Sequence, residues 1–298
     1  MDKKRIAIIG SESFLARNFI RYTEQKYKRT EWELFLYDYA EKTKNKGHCY
    51  CQIDFNVLES IRKIDFSADV LMIFIGKTGA VHGFEDYEQF IKVNEIFFLN
   101  ILQVYVETGS KSLIIYPSSR LLFKSNEKSL IDETSDLEMR SIYAVTKYAA
   151  EKYLEIYRDV YNVKFVVLRI CTPIGTLFDD FGNYGTFEIF KNQAEKEGKI
   201  RLFGNGEQRK TFTHILDVCK AFDLIIEKGN TDWDNYNLGG KALALWDIVK
   251  NIADRSKVPV EIVEWPELYY KVDGGTVVFD SSRFDKEFGM EYRNVLDD

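Results

Sequence analysis

Short apolar runs alternate with longer amphipathic segments from the start of the chain to about Arg169. Continuously apolar runs predict strands that are buried on both faces, and the 3.6-residue periodicity between them predicts helices. Alternation of strand and helix is typical of a parallel sheet with helices on both of its faces. The pattern therefore predicts a doubly wound α/β domain over residues 1–169.

The predicted elements of this domain follow one another in a regular order. Strands are expected at residues 6–9, 34–37, 70–75, 113–116 and 165–169. Helices are expected from about Phe14 to Tyr27, over a short segment after Asp54, at residues 87–107, and around Tyr143. Gly10 ends the first strand, Asp38 ends the second, and the strand at residues 113–116 is expected to stop at Pro117.

The pattern loosens beyond Arg169. A loop is expected at residues 176–184, a helix at residues 187–196, and shorter elements at residues 200–203, 236–238 and 260–263. We interpret residues 170–298 as a smaller second domain, with residues 211–239 returning to the first.

Composition narrows the possible partners and locations. The net charge of −6 provides no basic stripe for nucleic acid, so none is expected as a partner. No signal peptide is recognised in residues 1–9, and the apolar run at residues 70–75 is too short to span a bilayer. We therefore expect a cytoplasmic protein without a membrane partner. No metal site is expected either, because the four cysteines lack zinc-ligand spacing, even with His48 beside Cys49.

Tyr143 and Lys147 are the most suggestive chemical pair. Side chains four positions apart on a helix lie on one face, so the ammonium group can approach the phenol. A nearby positive charge favours the phenolate and lowers the tyrosine pKa from about 10. The pair could therefore act as a general base. The alternative is simple packing of the tyrosine beside a solvated lysine.

Asp38 indicates the cofactor. An acid at the end of the second strand of a βαβ nucleotide-binding fold accepts the adenine ribose hydroxyls and repels a 2′-phosphate. This position predicts NAD in preference to NADP. A flexible loop carrying Lys42, Lys44 and Lys46 could nevertheless accommodate a phosphate.

Four features now stand in a fixed order: a glycine-bearing first turn, the acid Asp38, the pair Ser118-Ser119, and Tyr143 with Lys147. With them the chain resembles the extended short-chain dehydrogenase/reductases, in particular the NAD-dependent epimerase/dehydratase family that acts on nucleotide sugars. Further matching segments are Val93-Asn94, Asn100-Ile101-Leu102, Leu168-Arg169 with Pro173 and Gly175, residues 204–208, Phe212 with residues 214–217, Asn237-Leu238-Gly239, and Asp280-Ser281-Ser282.

The resemblance implies roles for individual residues. Tyr143 would take a proton from a sugar hydroxyl, Lys147 would hold the nicotinamide ribose, and Ser119 would hydrogen-bond the reacting oxygen. Ser119 could instead be a simple turn residue, and Asn94 could serve either a hydrogen-bond network or helix packing. Asp54 is the implied adenine contact, with a turn or helix cap as its alternative.

The resemblance also implies two binding sets and a division of the chain. Residues 1–169 would bind NAD and residues 170–298 would bind the nucleotide sugar. The implied cofactor contacts are Gly10, Ser13, Phe14, Leu15, Asp38, Asp54, Phe55, Ile75, Gly76, Lys77, Asn94, Tyr143 and Lys147. The implied substrate contacts are Ser119, Arg120, Thr172, Asn183, Arg209 and Lys210.

Three positions depart from the family pattern. Ser13 stands where the second glycine of the turn would be, and therefore puts a side chain where the backbone approaches the pyrophosphate. Lys77 is positioned to compensate at the phosphates. Lys210 replaces an arginine and offers a point charge in place of a bidentate fork, with Arg209 directly ahead of it. Thr172 stands where asparagine is usual.

The segment after Ser119 favours one reaction. Family dehydratases carry an acid pair there, whereas this chain has Arg120 and Leu121. The expected activity is a nucleotide-sugar 4-epimerase of the UDP-glucose/UDP-galactose type. Two alternatives remain: an NAD(P)H-dependent 4-keto-sugar reductase, and a non-catalytic binding protein of this fold. A homodimer is also expected through the helices of Asn94 and Tyr143, with large apolar residues at Phe97, Phe98, Tyr148 and Tyr153.

Overall fold

A computed structural model describes residues 3–28, 30–178 and 185–296. The chain forms two compact units, each assembled from three stretches of sequence. The first comprises residues 1–118, 141–168 and 222–235, and the second comprises residues 119–140, 169–221 and 236–298.

A seven-stranded sheet forms the centre of the predicted α/β fold. Its strands are β1 (Lys4–Ile9), β2 (Trp32–Asp38), β3 (Cys49–Gln52), β4 (Val70–Ile73), β5 (Leu113–Ser119), β6 (Phe165–Ile170) and β10 (Asn235–Asn237). Their order across the sheet is β10-β6-β5-β4-β1-β2-β3, and β1 pairs in parallel with both β2 and β4. This arrangement confirms the predicted doubly wound α/β fold.

The helices of the first unit join successive strands. They are α1 (Phe14–Lys26), α2 (Leu58–Ile61), α3 (Tyr87–Ile91), α4 (Phe97–Glu107) and α5 (Ile142–Tyr161). Between α3 and α4, residues Lys92–Ile96 form a π-helical segment, so the long helix predicted at residues 87–107 contains a local change of winding.

Two strand predictions need correction. β4 ends at Ile73, and the backbone of the next two residues passes close to Gly10. β5 continues through Pro117 to Ser119 instead of stopping at the proline. The pairing of β5 with β4 reaches only Ile115, so Pro117 lies beyond that ladder and its missing N–H group costs no hydrogen bond there.

Each unit has its own apolar core. The first core combines inward-facing residues of the sheet, such as Ile9, Ile73 and Ile114, with Phe98 and Leu102 of α4. Apolar burial of this kind stabilises a sheet that is covered by helices.

The second unit contains two small sheets. One has the order β11-β9-β7 and the other pairs β12 with β8. Their strands are β7 (Thr172–Ile174), β8 (Ile200–Phe203), β9 (Arg209–His214), β11 (Lys241–Ala244) and β12 (Val260–Val263). The other α-helices of the described residues are α6 (Gly185–Glu197), α7 (Ile215–Lys228), α8 (Leu245–Ser256), α9 (Glu267–Asp273) and α10 (Ser282–Phe288). Ile174, Leu202, Phe212 and Ile248 lie in the core of this unit.

Within the described ranges, no helix is both long enough and apolar enough to cross a bilayer.

Candidate cofactor and substrate sites

A cleft of about 930 Å³ opens in the first unit. The strand order reverses between β1 and β4, and ligands of such sheets bind beyond the carboxyl ends of the strands at this point. The cleft contains seven of the implied cofactor contacts. These are Gly10, Ser13, Asp54, Phe55, Ile75, Gly76 and Lys77.

Gly10 allows the chain to turn sharply after β1. Its φ angle is +82°, and a Cβ atom there would lie 2.6 Å from the backbone nitrogen of Ile75. Only glycine fits this conformation and this close approach. The turn therefore leads directly from β1 to the N-terminus of α1 at one edge of the cleft.

Ser13 has a definite structural role in this turn. It is the N-cap residue of α1, and its hydroxyl accepts a hydrogen bond of 3.4 Å from the amide of Ala16. The side chain that departs from the glycine pattern thus caps the helix. The N-terminus of α1 still presents its positive dipole end at the cleft, a favourable place for a phosphate.

The acid that was predicted to face the ribose is largely buried. The Asp38 side chain accepts hydrogen bonds from the amides of Glu12 (2.9 Å) and Ala40 (3.2 Å), and only 3% of the residue is exposed. Burial raises the pKa of Asp38, and the Glu12 charge adds to the rise, whereas the hydrogen bonds from the backbone lower it. Glu12 and Tyr39 line the cleft at this end.

Asn94 lies in the π-helical segment and connects two parts of the site. Its amide oxygen accepts from the backbone N–H of Lys77 (2.7 Å), and its amide nitrogen donates to the Lys77 carbonyl (3.1 Å) and to Thr146 (2.9 Å). This buried side chain therefore fixes the loop after β4 relative to α5. Of the two interpretations offered above, the hydrogen-bond network is the one that these contacts describe.

Lys77 lines the cleft but is already paired. Its ammonium group forms an ion pair with Asp86 and lies 5.7 Å from the centre of the Phe90 ring. Both charged side chains are more than one third exposed, so the pair is weak. A phosphate group could compete with Asp86 for this lysine.

Asp54 forms a local turn and also lines the cleft. Its carboxylate accepts from the backbone N–H of Asn56 (2.9 Å) and from the side-chain amide of the same residue (2.7 Å). These hydrogen bonds lower the pKa of the exposed Asp54 carboxyl group. The adjacent Phe55 is buried and stacks with Phe97 at a centroid distance of 5.8 Å.

Tyr143 and Lys147 both lie on α5, one helical turn apart. The Tyr143 ring meets the Phe90 ring edge to face at 6.4 Å, and the Lys147 ammonium group lies 4.0 Å from the centre of the Tyr116 ring. Lys147 is 7% exposed. Burial lowers the pKa of Lys147 to about 7, although the charge of Glu151 one turn further along opposes this shift. The lysine is thus poised to change its charge near neutral pH.

Ser119 is the last residue of β5 and the first residue of the second unit. It caps the short 3₁₀ helix Arg120–Leu122, and its hydroxyl accepts from the Leu121 amide at 3.2 Å. The turn role left open above is therefore present. A hydroxyl group that accepts this bond retains its proton for donation to a second group.

Arg120 and Lys210 converge on one carboxylate in the second unit. Arg120 binds Asp273 through two parallel hydrogen bonds of 2.6 and 2.7 Å, and Lys210 forms an ion pair with the same side chain. Lys210 also donates to the Asp273 carbonyl at 3.0 Å. Arg120 and Lys210 are 8% and 6% exposed. Two cations and one anion give this group, which we call the Asp273 cluster, a formal charge of +1.

In the Asp273 cluster, the neighbouring charges shift the pKa of Asp273 and that of Lys210. Burial opposes the charged form of Asp273, but Arg120 and Lys210 outweigh it and hold the pKa of this carboxyl group well below its usual range. Burial and the neighbouring Arg120 charge lower the pKa of Lys210, and Asp273 opposes that shift.

The other implied substrate contacts are more scattered. Thr172 is buried on β7, where it lies opposite Phe212 of β9. Arg209 is exposed, and its guanidinium group donates to the Ala242 carbonyl at 2.9 Å. Asn183 lies outside the described residues.

The structure also adds residues that the sequence interpretation missed. Glu12, Tyr39, Lys63 and Lys92 line the cleft, and Asp273 binds two of the implied substrate contacts. Glu12 could have been found as an acid inside the glycine turn. No sequence signal identifies Asp273, because its partners lie 153 and 63 positions away.

Comparison with known proteins gives the family. The model of the NAD-dependent epimerase/dehydratase family matches residues 6–239. The chain belongs to this family.

Individual relatives are more distant. A putative UDP-glucose 4-epimerase of Methanocaldococcus jannaschii is 26% identical over 53% of this chain and 52% of its own length. The dTDP-4-dehydro-6-deoxyglucose reductase of Escherichia coli is 24% identical over 70% of this chain and 64% of its own. The chain thus spans between about half and two thirds of these curated relatives.

Solved structures match over a larger share of the chain. The UDP-glucose 4-epimerase of Thermotoga maritima, solved with UDP-glucose, has a TM-score of 0.83 at 20% identity, over 97% of this chain and 94% of that one. The UDP-N-acetylglucosamine 4-epimerase of Methanobrevibacter ruminantium has a TM-score of 0.81 at 17% identity, over 98% and 94%. At these identities the likeness establishes the fold.

Proposed function

We propose that this protein is an NAD-dependent nucleotide-sugar 4-epimerase of the UDP-glucose/UDP-galactose type, working by transient oxidation of the sugar to a keto intermediate. The observation that carries the proposal is the position of Tyr143 and the buried Lys147 on α5. Asn94 connects this helix by hydrogen bonds to Lys77 at the cleft. The named 4-epimerases among the similar proteins support it.

The residues of the cleft fit NAD. Gly10 makes the tight turn that brings the N-terminus of α1 to the cleft, this N-terminus favours a phosphate, and Lys63, Lys77 and Lys92 bring positive charge. NAD would therefore be held between the turn after β1 and the loop after β4. When bound, NAD supplies a reversible hydride acceptor for the sugar carbon.

Three side chains would carry the protein's share of the reaction. Tyr143 would remove the proton from the 4-hydroxyl group of the sugar and return it later. Lys147 would hold the nicotinamide ribose and, when charged, favour the Tyr143 phenolate. Ser119 would donate a hydrogen bond to the reacting oxygen. Arg120 and Leu121 supply no carboxylate for the removal of water, which favours epimerisation over dehydration.

The test uses purified protein and the variant Tyr143→Phe. We expect the wild type to interconvert UDP-glucose and UDP-galactose, and Tyr143→Phe to lose about a hundred- to ten-thousandfold in kcat, because the general base is absent. NAD binding should be retained. Tyr161→Phe on the same helix is the matched control and should leave kcat unchanged.

Other outcomes of this experiment identify other functions. Consumption of NADPH by a 4-keto sugar, without any epimerase activity, would replace the proposal by the reductase. Binding of NAD or of a nucleotide sugar without turnover of any sugar would favour a binding protein.

We further propose a homodimer through the helices of Asn94 and Tyr143. Phe98 is buried in the core and Phe97 packs on Phe55. Apolar residues that remain accessible on these helices include Ile91, Ile96, Val145 and Ile156. Tyr153 donates to Glu95 at 2.8 Å and joins the two helices within one chain.

The cytoplasmic location stays a prediction.

Sedimentation measures this assembly. We expect a dimer for the wild type, and a monomer for the double variant Ile96→Glu/Ile156→Glu, because two charges would enter an apolar interface. Ile262→Glu places a charge at an exposed isoleucine of the second unit and should remain dimeric. A monomeric wild type would refute the proposed assembly.

A further inference from the structure

Glu12 lies in the glycine turn at the end of the cleft, beside the buried Asp38. Its amide donates to the Asp38 carboxylate, and Glu12, which is half-buried, lines the cleft. Asp38, with 3% exposure, is absent from that lining. Of these two neighbouring acids, Glu12 is the one that lines the cleft.

The Glu12 carboxylate is held in place by a loop. It accepts hydrogen bonds from the Thr43 hydroxyl (2.6 Å), the Asn45 side-chain amide (3.0 Å) and the Lys44 backbone N–H (3.2 Å to each oxygen). Asn45 is buried and also donates to the Ser11 carbonyl at 3.3 Å. One acid thereby ties residues 43–45 to the glycine turn. We call residues 42–46 the lysine loop.

These hydrogen bonds restrict the movement of the lysine loop. Lys42, Lys44 and Lys46 are exposed, and a loop free to move could bring one of them to a phosphate. Because Glu12 binds both the backbone and the side chains of residues 43–45, such a movement must first break several hydrogen bonds to a carboxylate. Bonds of this type are stronger than those between neutral groups.

We propose that Glu12 is a determinant of NAD over NADP, acting through its own charge and by holding the lysine loop closed. A 2′-phosphate on the adenine ribose would meet the charges of both Glu12 and Asp38, whereas a ribose hydroxyl can donate to a carboxylate. Like charges at close range in a partly desolvated cleft repel strongly. The inference rests on the proposed use of NAD.

Binding measurements on the whole chain test whether the charge of Glu12 sets the cofactor preference. We expect Glu12→Gln, which keeps the shape of the side chain, to raise the affinity for NADPH relative to NADH on the order of tenfold. NADH affinity itself should change little. Added salt should shrink the difference between wild type and variant, because mobile ions screen the repulsion. Glu41→Gln removes an exposed acid near the same loop and is the matched control.

Limited trypsin digestion tests the loop. Glu12→Ala removes the carboxylate that accepts hydrogen bonds from residues 43–45. Cleavage after Lys42, Lys44 or Lys46 should therefore become several-fold faster than in wild type, and the rate for Glu12→Gln should lie in between. Unchanged cleavage would show that Glu12 does not hold the loop.

The outcomes separate the inference from the proposed function. A Glu12→Gln variant with wild-type NADH affinity and an unchanged preference, or a Glu41→Gln variant with the same gain in NADPH affinity, would overturn the role of Glu12 alone. A wild-type protein that binds neither NADH nor NADPH would overturn the proposed function and the inference together.

Discussion

Lys147→Met is expected to lose activity and, at the same time, to make the cofactor-free protein more stable at neutral pH. Activity falls because the lysine would hold the nicotinamide ribose and support the Tyr143 phenolate. Stability rises because Lys147 lies against the Tyr116 ring, where burial lowers its pKa to about 7. A methionine fills the same space without a charge.

The lowered pKa of Lys147 determines how the stability gain of Lys147→Met varies with pH. An unfolded lysine titrates near ~10.4. Between that value and about 7 the unfolded chain binds more protons than the folded one at Lys147, so the wild-type free energy of unfolding rises with pH across this window. Below pH 7 the folded protein carries the buried Lys147 charge and the full free-energy cost of burying it. The advantage of Lys147→Met should therefore be largest at pH 6–7 and vanish toward pH 10.

Thermal unfolding of the cofactor-free protein measures the effect. We expect Tm of Lys147→Met to exceed the wild-type value on the order of 5 °C at pH 6.5, where each kcal/mol corresponds to roughly 2 °C for a chain of this size. Lys152→Met is the control, since Lys152 lies on the same helix but is 44% exposed at its side chain. A gain in Tm that is constant with pH would mean that packing, and not charge, explains it.

Asp273→Asn is expected to destabilise the protein and to increase its affinity for diphosphate. The substitution leaves Arg120 and Lys210, both buried, without their anion. Breaking a fully buried ion pair costs about 3–5 kcal/mol; since the Asp273 side chain is 33% exposed, we expect about 2–3 kcal/mol after solvent screening. The two cations left behind would then attract an external anion more strongly.

The free energy of unfolding at acid pH tests whether the charge of Asp273 causes the difference in stability. A carboxyl group with a depressed pKa contributes its full stability above its unfolded pKa of about 3.9 and loses it only as pH falls through the folded value. The difference between wild type and Asp273→Asn should thus stay constant from pH 7 to about 4 and shrink below that.

Urea unfolding with and without inorganic pyrophosphate measures both effects. Pyrophosphate should restore more stability to Asp273→Asn than to the wild type, because ligand binding to the folded state stabilises it. Glu267→Gln removes an acid whose side chain is 81% exposed on the same helix and should change stability by less than about 0.5 kcal/mol. Equal stability of wild type and Asp273→Asn would mean that the Asp273 cluster contributes nothing net.

Much of the fold could be predicted from the sequence because its signals are local. Continuous apolar runs such as that of β1 indicate a strand covered on both faces, and Gly10 marks the turn to α1. The errors occurred where local signals are ambiguous. Pro117 suggested the end of a strand, yet in β5 it lies beyond the pairing with β4, and the π-helical segment around Asn94 has no reliable signature in one sequence.

By itself, the sequence determined the doubly wound fold, the family motifs, and the spacing that places Tyr143 and Lys147 on one face of a helix. These follow from periodicity and from neighbours a few positions apart. Only the tertiary structure decided which charged groups meet. It buried Lys147 against Tyr116 of β5, placed Glu12 beside Asp38, and brought Asp273 to Arg120. Burial and charge pairing depend on residues far apart in the chain, and these environments set the pKa of each group.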